Sequence, residues 1–455
     1  MAKAVQATLF GLDQGPKNFL RVSLALHTLN TWLIANVALR VEELQLCNKR
    51  KPRYFWTGAH VVSLIGVGIH PLRVECVCWA SAQPYLLSSS FGLIGLLSII
   101  PEPNYTMPSS PFWKKIRIAC RNTGALLCLV AAVFAKGAAV TVPAVIILVD
   151  SLCLARECRL EGIETTYIVR RFMRGLVLII LMVFAVYCAS WASNLSEKKL
   201  SLGLGGLERL TRASFTVVYF HVSKLLHPCR LANLYPLPFE GFGLNMISNC
   251  YALIANTFFA IVSLNGLKNW IFAGEKKGTL YRLLTGGSFA WCLFGVLLAP
   301  TLGGMLFLKA EHGYPSISAD RYSYLASMAF VPFCSAYVRR SLALPPTNIR
   351  RRVLYIGLRS TLSLLTIVLL VSSRMNCVRW RNDVTLWSRM IATDTKNVIA
   401  FANLRKALAN SSSKDTSTAL LREAWKASFC ATCRIVNYLN FWGQLRLLPI
   451  ATLIR

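Results

Sequence analysis

Four short clusters of polar residues interrupt a chain that is otherwise poor in charge. His70-Pro71-Leu72-Arg73-Val74-Glu75 sets an imidazole, a guanidinium and a carboxylate within six residues. Lys136 stands alone between apolar runs in Ala135-Lys136-Gly137. Lys224 leads into His227-Pro228-Cys229-Arg230, then a proline- and tyrosine-bearing stretch ending at Pro238. The last cluster is Ser318-Ala319-Asp320-Arg321-Tyr322-Ser323-Tyr324. Cationic side chains of this kind serve phosphate oxygens, arginine bidentately and lysine as a point charge. Each cluster also has a purely structural reading. Arg73 can pair with Glu75 inside its own loop, Lys136 can snorkel to lipid headgroups, and the tyrosines can belong to an interfacial belt. Asp320 and Arg321 are neighbours, so on a helix they point different ways and each needs its own partner.

The elements that must position these clusters are membrane helices. Of the 455 residues, 55% are hydrophobic and only 15% charged, against roughly a quarter charged in soluble chains. Mean hydropathy is +0.49. Fifty Lys+Arg against nineteen Asp+Glu give a net charge of +31. The chain is too apolar for a disordered protein or an ordinary cytosolic enzyme. Its long uncharged runs exclude a nucleic-acid binder that its charge alone would allow. Apolar runs predict about ten spans, at 19–39, 57–69, 85–100, 122–134, 139–152, 174–192, 247–264, 284–303, 323–337 and 353–372. The pair 122–134 and 139–152 also fits a single long helix. The linkers Arg40–Arg53, Lys114–Arg121, Arg156–Arg174, Lys268–Arg282 and Arg339–Arg352 each carry four or five Lys/Arg. The short loops between them carry one or two: Arg73, Lys136, and Lys309 with Arg321. This alternation assigns the rich loops to the cytoplasm and the sparse ones to the lumen. The long stretch 193–246 is basic although it falls on the sparse side, and long loops follow the rule less closely. Within it, Leu207–Leu226 reads as an amphipathic interfacial helix. The sequons at Asn194 and Asn410 then face the lumen as candidate glycan acceptors, whereas Asn104 does not.

The fifteen cysteines are scattered, and those in apolar runs (Cys120, Cys128, Cys188, Cys250, Cys292, Cys334) read as small buried hydrophobes. Cys430-Ala-Thr-Cys433 has no second pair and no spaced histidines, so no metal site is expected there. Phosphate-loop, HExxH and GxSxG motifs are absent. Any chemistry must come from polar residues at luminal span ends.

Four blocks, in order, resemble one family. HPLRVECVCWASAQPYLLS, FAKGAAVTVPAVIILVD, KLLHPCRLANLYPLP and ISADRYSYLASMAF are similar to blocks of the transmembrane and tetratricopeptide-repeat O-mannosyltransferases. The resemblance extends from about Thr8 to Ala409. It implies an all-α, polytopic membrane bundle of the class-C glycosyltransferase type over residues 1–372. It also implies a short luminal TPR-like segment over 373–429, whose helices match Asp394–Asn410 and Thr418–Ser428. Residues 430–455 form an apolar tail outside the pattern.

The activity the resemblance implies is transfer of mannose from dolichyl-phosphate mannose to Ser/Thr hydroxyls of luminal proteins, at the endoplasmic reticulum membrane. No cofactor beyond the donor lipid and no nucleic-acid partner are expected. His70, Arg73, Lys136, Arg230 and Arg321 are the candidate donor-phosphate and lipid-binding residues. The family's catalytic base belongs to a first luminal loop, expected upstream of Met1, leaving Glu75 and Asp320 as substitutes within this chain. Tyr85 stands where the family carries an acidic residue. The alternative is a non-catalytic membrane scaffold presenting a luminal TPR module.

Overall fold

The structure, a computed structural model, describes residues 17–46, 58–100, 111–161, 165–196, 206–229, 231–232, 235–236, 246–272, 279–306, 310–311, 314–343, 349–393 and 398–409. Its helices are α1 (Lys17–Leu46), α2 (Gly58–Ser63), α3 (Val74–Cys78), α4 (Gln83–Ile99), α5 (Pro111–Ala135), α6 (Val142–Glu161), α7 (Thr165–Ser196) and α8 (Gly206–Phe215). They continue with α9 (Ser223–Leu226), α10 (Met246–Phe272), α11 (Thr279–Leu306), α12 (Ser323–Ala326), α13 (Phe330–Ala343), α14 (Ile349–Arg379), α15 (Asp383–Thr393) and α16 (Val398–Ala409). The described residues are almost entirely helical, as expected, with three short strands besides. β1 (Tyr235–Pro236), β2 (Ala310–Glu311) and β3 (Tyr314–Ser318) pair antiparallel in the order β1-β3-β2. Two of them are only two residues long and the third five, with little room for an alternating pattern in the sequence.

Local breaks follow from backbone chemistry. His70 is extended (φ −72°, ψ 130°), because the ring of the following proline disfavours the α region. Around this break, Gly58–Gly68 and Pro71–Cys78 bend by 57°. Lys136 is also extended (φ −157°, ψ 123°) and is followed by a 3₁₀ turn, Gly137–Thr141. The runs 122–134 and 139–152 are therefore two helices. A π turn at Leu64–Gly68 continues α2, and another at Thr216–Val222 joins α8 to α9, so the run expected at Leu207–Leu226 is helical with one widened turn.

Among the described residues four helices are long and apolar enough to cross a membrane, Lys17–Glu42, Ala80–Ile99, Leu284–Leu302 and Tyr355–Arg379, or five if the bent pair counts as one span. Shorter apolar helices occur at Ala119–Ala135, Gly137–Ser151, Ala213–Leu226 and Cys250–Gly266. Segment 323–337 is divided between α12, a 3₁₀ turn and α13. The described residues thus contain fewer full-length crossings than the ten expected. Tyr355–Arg379 is only 6% buried, and its Leu364, Val368, Val371 and Met375 are exposed. A helix with so much apolar surface uncovered suits a hydrocarbon solvent and not water.

Three apolar cores hold the bundle. Ala38, Ala59, Leu86, Tyr324 and Met328 join α1, α2 and α4 to the segment leading into α13. Leu129, Ala132, Ile146 and Leu178 join α5, α6 and α7, and Val217, Phe294, Leu298 and Ala326 dock α11. Glu42, near the end of α1, accepts from Ser335 Oγ at 2.6 Å and from Arg339 Nη1 at 2.9 Å on α13. Arg40 Nη1 donates to the Leu97 carbonyl at 2.8 Å, satisfying the last turn of α4.

Residues Met1–Asn376 and Cys377–Arg455 form two compact units. The division expected after 372 falls inside α14, where no glycine or proline stops the helix. In the second unit α15 and α16 form a helical pair with Met390, Ile399, Leu404 and Leu408 buried. Asn382 Oδ1 accepts from the Thr385 amide at 2.8 Å and Thr385 Oγ1 accepts from the Asn382 amide at 3.3 Å, a reciprocal cap of the α15 N-terminus. The expected second TPR-like helix, 418–428, and the tail 430–455 lie outside the described residues.

Gly266 sets how closely α10 and α11 approach, since a Cβ there would lie 2.5 Å from Thr285 Cβ. Small residues allow such contacts between membrane helices. Gly266→Ala is expected to destabilise the bundle by about 1–3 kcal/mol, read as a lowered melting midpoint in detergent. Gly295→Ala, where a Cβ meets nothing within 4 Å, is the neutral control.

Candidate functional site

The site is built around a buried ion pair. Pro71 opens a 3₁₀ turn that feeds the five-residue α3, and this carries Glu75 inward. Extended Ala319 (φ −143°, ψ 151°) feeds a second 3₁₀ turn, Asp320–Tyr322. Glu75 Oε1 accepts from Arg321 Nη1 at 2.6 Å, and its Oε2 accepts from the Arg321 backbone amide at 2.7 Å. Both side chains are buried. The guanidinium carbon lies 4.9 Å from the centre of the Trp79 ring and 5.0 Å from that of Tyr322. The guanidinium also reaches the Tyr85 hydroxyl. Asp320, adjacent in sequence, takes a different partner: the Tyr235 hydroxyl donates to its Oδ1 at 2.9 Å. The Ala232 amide donates to the same hydroxyl at 2.8 Å, and Lys224 Nζ lies 5.3 Å from the centre of the Tyr235 ring. Lys136 joins from the opposite flank, its Nζ 4.7 Å from the centre of the Tyr85 ring, which is itself 6.0 Å from the Tyr322 ring.

Lys136, Arg321, Glu75 and Asp320 are thus gathered around Tyr85, Trp79, Tyr322 and Tyr235. Two of the expected phosphate-binding residues are used otherwise. Arg73 is only 2% exposed. It does not take Glu75, whose two oxygens go to Arg321, but donates to the Ser323 carbonyl at 3.3 Å, to the Gly66 carbonyl at 3.4 Å and to Ser327 Oγ. It is an anchor between the bent segment Gly58–Cys78 and α12, because a guanidinium sealed in a core must spend its donors on protein acceptors. His70 Nε2 donates to the Leu225 carbonyl at 3.0 Å while Nδ1 accepts from the Leu72 amide at 3.3 Å, so the neutral ring fastens α9 to this turn. A further buried network sits behind Arg73: Tyr324 OH bonds His27 Nδ1 at 2.8 Å and accepts from Asn30 at 3.3 Å.

Arg230 and Asn410 lie outside the described residues, and Asn194 falls in the last turn of α7. Among the described residues no three His, Cys, Asp or Glu side chains converge to hold a metal. Cys128, Cys250, Cys292 and Cys334 are half-buried free thiols, whereas Cys120, also a free thiol, is exposed and not buried as expected. Trp79 and Tyr235 were not singled out as functional from the sequence. The available signal was an aromatic set between prolines and beside ionisable residues.

Charge reinforces this geometry. Burial pushes the Asp320 carboxyl well above the usual carboxylate range, and the nearby Glu75 charge adds to it; the Tyr235 hydrogen bond, Lys224 and Arg321 oppose the rise. Burial, helped by the Asp320 charge, raises Tyr235 as well, keeping it a phenol able to donate. The ion pairs also agree with the sidedness drawn from loop charge. Glu42–Arg339 joins segments assigned to the cytoplasm, as do the Asp150–Arg171 and Asp150–Arg174 pairs, while Glu75–Arg321 joins segments assigned to the lumen.

No protein-family model, curated protein or solved structure matches the chain.

Removing one partner of a buried pair strands the other charge, at a cost of about 3–5 kcal/mol. Arg321→Leu is expected to lose that much stability, and the double variant Arg321→Leu/Glu75→Leu to recover most of it; melting in detergent checks both. For Asp320 the folded state holds its proton to higher pH than the unfolded chain. Its contribution therefore declines as pH rises from the ordinary value of 3.8 through the raised folded value. Asp320→Asn, which retains an acceptor for Tyr235, is expected to match the wild type at low pH and exceed its melting midpoint at neutral pH. A uniform loss at every pH would show instead that the ionised carboxylate is what the fold requires.

Proposed function

We propose that this membrane protein is a glycosyltransferase-like protein of the endoplasmic reticulum. It moves mannose from dolichyl-phosphate mannose to Ser or Thr hydroxyls of luminal proteins. The family resemblance suggests the reaction. The observation that carries the reading is that Lys136 and Arg321 approach one tyrosine, Tyr85, while Asp320, next to Arg321 in the chain, turns its carboxyl to Tyr235. In this reaction the acceptor hydroxyl attacks C1 of mannose and passes its proton to a carboxylate. The C1–O bond to the carrier breaks, and the electron pair leaves with dolichyl phosphate. Lys136 and Arg321 supply positive charge where the phosphate departs. Asp320 is the base that this chain itself offers, and a carboxyl that burial raises above the usual carboxylate range suits a group that both takes and returns a proton. Glu75 is committed to Arg321 through both oxygens and acts as its positioning residue.

That same commitment favours a second reading, a scaffold whose ion pair closes the cluster and whose α15–α16 unit presents a surface to luminal proteins. One assay separates them. Full-length protein in liposomes is given radiolabelled dolichyl-phosphate mannose and a Ser/Thr-containing peptide. The transferase reading expects transfer that falls by about 10²-fold or more in Asp320→Asn, and by about 10²-fold in Lys136→Ala. Transfer unchanged in both variants removes these assignments. A wild-type chain that binds the peptide but transfers nothing supports the scaffold.

A further inference from the structure

Two buried histidines hold the break at Pro71. His27, on α1, has Nε2 3.1 Å from the Gly68 carbonyl and Nδ1 2.8 Å from the Tyr324 hydroxyl. A carbonyl only accepts, so Nε2 carries the proton and Nδ1 takes the Tyr324 hydroxyl, which itself accepts from Asn30 at 3.3 Å. His70 is fixed in the same way. Its Nε2 donates to the Leu225 carbonyl at 3.0 Å, and its Nδ1 accepts from the Leu72 amide at 3.3 Å. Each neutral ring thus commits one nitrogen as donor and the other as acceptor. Gly68, His70 and Leu72 lead directly into α3, which carries Glu75.

A second proton has no place on either ring. On His70 it would set an N–H against the N–H of Leu72. On His27 it would face the Tyr324 hydroxyl and leave the hydroxyl proton without its acceptor. The charged group that bears on both rings is the Arg73 guanidinium. Arg73 is itself a buried cation bonded to neutral acceptors, and its Nε has no hydrogen-bond partner. The carboxylates at this end of the bundle, Glu75 and Asp320, are given to Arg321 and Tyr235. A further positive charge beside Arg73 therefore meets repulsion and the cost of burial.

We propose that His27 and His70 form an acid-sensitive latch on the bent segment Gly58–Cys78. Proton uptake from the compartment that loop charge assigns to the lumen releases this segment and separates Glu75 from Arg321. The cluster is assembled near neutral pH and dismantled in a mildly acidic compartment. With the segment closed, both rings stay neutral; with it open, they meet water and titrate near the ordinary histidine value of about 6.5. The open population therefore grows as pH falls through that value, by about tenfold per ring between pH 7.5 and 5.5.

Cys76 reports the latch directly. It is fully buried on α3, and its Sγ lies 3.9 Å from the Arg321 carbonyl, at the joint that opens. The full chain in neutral detergent is treated with N-ethylmaleimide at neutral and at mildly acidic pH. Peptide mass spectrometry reads labelling of Cys76 relative to the exposed Cys120, which cancels the reagent's own pH dependence. Between pH 7.5 and 5.5 the ratio is expected to rise about 10²-fold in the wild type and about tenfold in His27→Gln or His70→Asn. It should stay flat in the double variant. His70→Asn retains an acceptor for the Leu72 amide. If the double variant does not yield folded protein, the two single variants give the reading. No rise in the wild type overturns the proposal. So does an undiminished rise in folded variants, which would assign the opening to Glu75 or Asp320. Labelling is read without mannose transfer, so a chain with no transferase activity leaves the latch standing.

Discussion

Charge inside a bundle that presents hydrocarbon to its surroundings has to be paired or spent on protein acceptors, and that requirement organises this molecule. A lone guanidinium or carboxylate there carries a desolvation cost of several kcal/mol. Glu75 and Arg321 meet it by giving each other two hydrogen bonds, one from a side chain and one from a backbone amide. To do so, the bent segment that carries α3 and the turn before α12 must touch. Arg73 and Ser327 stitch the same two segments one layer deeper. Once these contacts exist, Asp320 has only one direction left, and it meets Tyr235 on the short β1 strand.

Much of this was legible in sequence. The helical class, the apolar α1, α4, α11 and α14, and the breaks at Pro71 and Lys136-Gly137 follow from runs of residues and from backbone preference. The inference that adjacent Asp320 and Arg321 need separate partners also agrees with the structure, because it rested on geometry alone. What sequence could not supply was the identity of those partners. Arg73 and Glu75 sit two residues apart and look like a pair, yet the 3₁₀ turn sends Arg73 to carbonyl oxygens and Glu75 to a residue from the distant turn before α12. Tyr85 reads as a substitution at a position the resemblance makes acidic; in three dimensions it is the ring between Lys136 and Arg321. Long-range contacts of this kind leave no local period.

The number of crossings was harder to read for a related reason. An apolar run reports burial or lipid exposure without distinguishing them. The runs 122–134 and 139–152 are short because Lys136 has to leave the helix to reach Tyr85. The 323–337 run is divided because its start serves the site before it becomes α13. The same polar residues that make the site therefore shorten the helices beside it. At the far end of the bundle the pairs Glu42–Arg339 and Asp150–Arg174 play the corresponding structural part, tying helices where the basic linkers emerge.

Everything rests on Lys136 and the Asp320 cluster opening to one compartment, with Arg339 in the other. Single cysteines at Lys136, Lys224 and Arg339, introduced into a cysteine-free chain in sealed endoplasmic-reticulum vesicles, measure this directly with a membrane-impermeant maleimide. Lys136→Cys and Lys224→Cys should label only after the vesicles are permeabilised, and Arg339→Cys should label without permeabilisation. If Lys136→Cys and Lys224→Cys label from opposite sides, the groups share no pocket and the account is contradicted.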